Sequence, residues 1–182
     1  MTLYRVFPFD TGAAPTDRGG ALFVPPPSGV GRIDNPKLYA ALYTASSATA
    51  AIAETFGRLP VWRADTFVHA GGLPYALATY ELPGDAPLFD VNDIDALRAI
   101  GVTRPTDIIT RTRSTTQAWA RRIFELGHHA GIVWWSYYNP AWPIVGLWDL
   151  RRLQVIGSPE ILVPASHTVA EAANAIVRQV DR

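Results

Sequence analysis

The chain has no cysteine among its 182 residues. That absence excludes disulfides, thiolate metal sites and cysteine nucleophiles, and it leaves the redox compartment undecided. Lysine is nearly absent as well: Lys37 is the single lysine beside fifteen arginines, a bias that composition of the source genome explains more simply than fifteen functional guanidinium groups. Sixteen basic residues balance sixteen acidic ones, so bulk charge points to neither a nucleic acid nor an anionic membrane as partner, and only a local basic patch is left open. No apolar stretch reaches the ~20 residues that a membrane span needs. The start, "MTLYRVFPFD", lacks a charged segment followed by an apolar run, so no secretory leader is expected and the expected location is cytoplasmic.

Histidine is scarce too, with four in all. His128 and His129 are adjacent, and on a helix they would point roughly 100° apart, unable to chelate one ion as an i, i+4 pair does. His69 and His167 are isolated, so no metal site is expected. The glycines of "GGALFVPPPSGVG" do not open a helix after a strand in GxGxxG spacing, which removes the Rossmann and P-loop readings. There is no GxSxG elbow for a serine hydrolase either.

What the sequence does contain is a hydrophobic share of 48% with 11% aromatics, enough to bury a sizeable core in one domain over residues 1–182. "LYRVF" (Leu3 to Phe7) alternates and is expected to be a strand, and "ALFVP" a short one within a loop-rich region. A buried strand is expected near Ala41 to Ala45, then a helix capped by Ser46 or Ser47, running to Phe56 and ended by Gly57. "YALATYEL" (Tyr75 to Leu82) and "PLFDV" read as strands, and Asn92 or Asp93 caps a short helix through Ala99, closed by Gly101. "STTQAWARRIFELG" has a helical period, "GIVWW" and "IVGLWDL" are apolar strands, and "LQVIG" and "EILV" follow. The tail "HTVAEAANAIVRQV" reads as an amphipathic helix, and the whole as mixed α+β.

Four kinds of position have the wrong surroundings for a plain surface. From Leu38 to Ala53 there is no charged side chain, and then comes Glu54. An unpaired carboxylate on so apolar a helix either reaches solvent in a cleft or meets a cation, for which Arg58 is one turn on. Ser136 ends the apolar run "GIVWW", where its hydroxyl either serves a site or hydrogen-bonds the following turn. The neighbouring Trp134, Trp135, Tyr137, Tyr138 and Trp142 suit a core, with room for one or two against a flat ring. Arg32, in the glycine-flanked loop "GVGRIDNP", suits bidentate anion binding, or else pairs with Asp34 at the surface. Arg5 sits between apolar strand neighbours and calls for a buried or cleft-side anionic partner.

In order, the strand "YRVF", the Gly-Arg loop, "LYTASSATAAIAE" and "GIVWWS" after a helix resemble the RES-domain family, named for its arginine, glutamate and serine. The resemblance runs from about Tyr4 to Asp149. Its most specific part is a tyrosine strand leading into a small-residue helix, with Glu54 eleven residues after Tyr43. The arginine loop keeps Gly31, Arg32 and Asn35 of the family's usual "GGRWN" but not its tryptophan, and Trp134 and Trp135 replace the steps of an "IRYPS"-like strand before Ser136.

The resemblance implies a compact, ADP-ribosyltransferase-like split β-core flanked by helices, with a cleft for NAD as substrate and no metal. It further implies a toxin of a toxin–antitoxin pair that cleaves the nicotinamide–ribose bond by hydrolysis or phosphorolysis, and an antitoxin protein that blocks the cleft. In at least one lineage of the family ADP-ribose goes instead to a protein acceptor, a nucleotide-synthesis enzyme. By the same resemblance Glu54 supports an oxocarbenium-like state, Arg32 and Arg5 hold the pyrophosphate, and Tyr43 stacks on nicotinamide or orders the ribose. Ser136 lends a hydroxyl to the substrate or to Glu54. A non-catalytic binding module, with the tryptophans of "WWSYYNPAW" gripping a sugar or a partner, is the reading from another class.

Overall fold

The computed structural model describes residues 1–181, apart from the side chain of Pro105. The strands are β1 (Thr2–Pro8), β2 (Leu42–Ala45), β3 (Val61–Trp62), β4 (Tyr75–Glu81), β5 (Leu88–Asp90), β6 (Gly131–Trp135), β7 (Pro143–Leu147), β8 (Gln154–Ile161) and β9 (Gln179–Val180). The helices are α1 (Ala48–Phe56), α2 (Ile94–Ala99), α3 (Pro105–Ile109), α4 (Arg113–Glu125) and α5 (His167–Ala175). Seven strands form one sheet in the order β5-β6-β7-β2-β1-β4-β8, antiparallel except for β5 beside β6, while β3 and β9 form a small parallel pair. None of the described helices is long and apolar enough to cross a membrane.

Strand alternation explains how the sheet buries both faces. On β1, Leu3 and Phe7 join one cluster with Ala76, Ala78 and Tyr80 of β4, under the loop carrying Ala21. Tyr4 and Val6 face the other way, toward the cluster in which α1, α4 and α5 are packed. Between β1 and β2 the sheet is pinched: they share one paired position, Tyr4 with Ala45, whereas β1 and β4 pair along their whole length. That gap is the split in the β-core, and the cleft described below opens there.

The sequence-level elements recur with informative differences. Ser47 is the α1 cap, accepting from the Ala50 N–H at 3.1 Å. Gly57 does follow the helix, but with φ at −63° it is not there for a left-handed turn. A Cβ at Gly57 would lie 2.5 Å from Cζ of Tyr138, so close approach is the reason for glycine. "ALFVP" is not a strand: Ala21 is buried, and its carbonyl accepts from Arg5 and Tyr80 instead of joining a ladder. "LQVIG" and "EILV" merge into the single strand β8, whose Gly157 and Pro159 are tolerated because it lies at the sheet edge. The tail helix stops at Ala175, and β9 turns back to pair with β3. Helix α3, absent from the sequence reading, starts on a proline, which fits a first turn that needs no N–H donor there. His128 and His129 lie past the end of α4, with rings 4.2 Å apart.

Candidate active site

Arg5, Arg32, Tyr43 and Glu54 all line one cavity of about 660 Å³ at the split between β1 and β2. Ser136 stands behind Glu54, 2% exposed. Helix α1 brings Glu54 there by packing its small residues Ala50, Ala51 and Ala53 into the core and leaving the carboxylate on the exposed side of the last turn. Ile52 and Phe56 of the same helix are buried too, and the small alanines between them fit the close packing of the core.

Glu54 is held on one side only. Its Oε1 accepts from Ser136 Oγ at 2.5 Å and from the Tyr137 N–H at 2.9 Å, while Oε2 makes no hydrogen bond among the described residues. Ser136 is fixed in turn by the Tyr138 N–H, which donates to its Oγ at 3.0 Å. A carboxylate with two donors on one oxygen has a fixed orientation, and its free oxygen stays available to a ligand.

The arginine loop is built on Asp34, which is buried and does not pair with Arg32. Asp34 accepts from Tyr43 Oη at 2.6 Å, from the Gly31 N–H at 2.9 Å and from Ser28 Oγ at 3.3 Å. Gly31 is obligatory, since a Cβ there would lie 2.2 Å from the Tyr43 hydroxyl. Ile33, fully buried, anchors the loop over Gly146, and such burial is worth about 1.5–3 kcal/mol. The hydroxyl of Tyr43 is thereby committed to the loop, and burial followed by the Asp34 bond raises its pKa far above the ordinary value. Its ring meets Trp134 edge-on at 5.9 Å.

Arg32 Nη1 donates to the Ile108 carbonyl at 3.0 Å, at the end of α3, where carbonyl dipoles favour a cation. Burial, and then the nearby Arg113, lower its pKa, while Glu54 and Tyr43 oppose that shift. Arg5 donates to the Ala21 carbonyl at 3.1 Å and lies over the Phe7 ring. Burial lowers its pKa also, and no carboxylate comes within ion-pair distance of it among the described residues.

Sequence reasoning missed Arg111 and Arg113 and treated Arg58 only as a partner for Glu54. All three line the same cavity, and none forms an ion pair among the described residues. Five arginines thus line one cavity together with a single carboxylate, in a chain whose net charge is zero. A signal was present: "RTR" places two guanidinium groups at the start of α4, the helix end that disfavours cations. Arg111 arches over Tyr137, donating to its hydroxyl at 3.0 Å with Cζ 5.1 Å from the ring centroid. Trp134, Trp135, Tyr137 and Tyr138 add flat apolar wall.

The RES-domain profile matches residues 2–166. The chain belongs to the RES-domain family. Among solved structures, this RES domain is similar to a chain from "Crystal structure of the M.tuberculosis MbcT-MbcA toxin-antitoxin complex", with a TM-score of 0.59 and 20% identity, covering 97% of this chain and 88% of that one. At that identity the likeness concerns the fold: a mixed sheet flanked by helices. No curated protein matches the sequence. The arginine, glutamate and serine expected from the resemblance, Arg32, Glu54 and Ser136, come together in the fold, two of them lining the cavity and the third bonded to Glu54.

Proposed function

We propose that this RES domain cleaves NAD at the nicotinamide–ribose bond and acts as the toxin of a toxin–antitoxin pair. The observation that carries the reading is one fixed carboxylate, with a free oxygen, in a cleft lined by five arginines, none with a carboxylate partner among the described residues. A dinucleotide suits such a cleft: its pyrophosphate takes fork-shaped, charge-assisted hydrogen bonds from arginine, and its rings lie against aromatic walls. The volume falls within the usual range for ligand cavities, about 300–1,000 Å³.

Nicotinamide leaves as a neutral amide from a cationic ring, so its departure needs no proton from the protein. Positive charge then develops on the ribose, and Glu54 Oε2 stabilises it electrostatically. Arg32 and Arg5 hold the pyrophosphate, and Tyr43 orders the arginine loop and presents its ring to the cleft. The sugar is taken up by water, phosphate or a protein side chain. Family membership supports the enzymatic part, and the likeness to a chain solved in a toxin–antitoxin complex supports a protein antitoxin as partner.

The test incubates purified, antitoxin-free protein with NAD, with and without phosphate, and with a proteome lysate. Mass spectrometry then separates ADP-ribose, its phosphate and modified protein. NAD loss is expected, and E54Q should lower turnover about a hundredfold or more while keeping the native circular dichroism spectrum. Folded wild-type protein that leaves NAD intact under every condition sinks the reading.

A further inference from the structure

The residues beyond the family match, 167–181, hold the helix that carries Glu54. Helix α5 packs on α1, and the chain then closes with a bond from the Arg178 N–H to the Ala173 carbonyl at 2.8 Å. Val177, between them, has φ of 55°, a left-handed conformation that a β-branched residue rarely adopts. This reversal carries Arg178 back onto the end of α1. Its Nε donates to the Gly57 carbonyl at 2.8 Å, and its Nη1 donates to the carbonyls of Ile176 at 2.9 Å and Val177 at 3.2 Å. One guanidinium thus fastens the carbonyls of the turn that follows α5 to the residue that ends α1.

The same glycine is packed from the cleft side by the Tyr138 ring, and the Tyr138 N–H holds Ser136, which holds Glu54. Gly57 therefore lies between Arg178 on one side and the loop that orients the carboxylate on the other. Beyond it, β9 pairs with β3, so the chain leaving α1 is tied to the same segment: the Gln179 N–H donates to the Pro60 carbonyl at 3.2 Å and Arg63 pairs with Asp181 at 3.0 Å. A strained residue kept on an exposed turn is a reason to look for what the turn achieves, and here it places one arginine.

We propose that Arg178 is a positioning residue for the Glu54 carboxylate, acting through Gly57 and the 136–138 loop without touching substrate. The proposal rests on Glu54 being the reactive acid. The experiment uses the full chain as R178Q, with R178M, which keeps the aliphatic stem, carrying the same test if R178Q does not fold. Two readouts are taken well below the melting temperature: kcat and KM for NAD, and amide exchange at Tyr137, whose N–H is bonded to Glu54.

The expected result is a kcat about tenfold lower with KM within roughly twofold, together with exchange at Tyr137 about tenfold faster and unchanged exchange in β4. V177G, which relieves the left-handed strain but keeps the arginine, should retain native kcat. Native kcat and native Tyr137 exchange in the folded Arg178 variant overturn the proposal. So does a lower melting temperature with both of those readouts native, since that is what a purely structural brace produces. Faster Tyr137 exchange in a protein whose wild type leaves NAD intact upholds the positioning role and rejects NAD as the substrate.

Discussion

Glu54 is the residue whose oddity the sequence exposes and whose meaning depends on three neighbours. A lone acid after sixteen uncharged positions is plain in the chain, as is the alternative that Arg58 neutralises it. In the folded protein Arg58 lines the cavity without pairing to Glu54, and the carboxylate is held by Ser136 and the Tyr137 N–H instead. The difference comes from a contact 82 positions away in sequence, which no local pattern contains. Removing the hydroxyl in S136A leaves both Glu54 Oε1 and the Tyr138 N–H short of a partner. A hydrogen bond to a charged group is worth about 1.5–3 kcal/mol, so kcat should fall at least about tenfold with little change in KM. Steady-state kinetics on NAD check this, and an unchanged kcat would assign Ser136 to the turn alone.

At the level of elements, local chemistry locates α1 well and explains its end poorly. The Ser47 cap and the run of small residues are read directly from sequence, because capping and helical periodicity are short-range effects. S47A should therefore cost about 1 kcal/mol of stability, measured by urea unfolding, and leave the active-site geometry in place. Gly57 does end α1 as its C-cap, and what the sequence hides is that its missing side chain also leaves room for the Tyr138 ring. Similarly, "LQVIG" and "EILV" look separate because glycine and proline intervene, and they join only because an edge strand needs one ladder, not two. The tail reads as helix to its end, and it stops because β3 offers β9 a partner.

For the whole molecule, the tyrosines set an alkaline limit. Burial raises Tyr39 to about 12, and Tyr43 shifts in the same direction, whereas unfolded tyrosine titrates near 10. A group whose pKa is raised by folding contributes stability that is complete below its unfolded value and is lost as pH climbs through the folded one. Melting temperature should thus hold up to about pH 10 and decline between about pH 10 and 12. Y43F should flatten that decline, and a wild-type melting temperature independent of pH across that window would refute the account. By itself the sequence determined the mixed α+β class, the main strands, helix α1 and the singular Glu54, because each follows from periodicity, capping or the cost of placing a charge among apolar neighbours. Only the tertiary structure decided that five arginines from separated segments share one cleft, that Asp34 holds the arginine loop rather than pairing with Arg32, and that Arg178 braces α1 from the far end of the chain. The physical reason is that these depend on where a pinched sheet brings distant segments together, and spacing along the chain carries no record of distance across a fold.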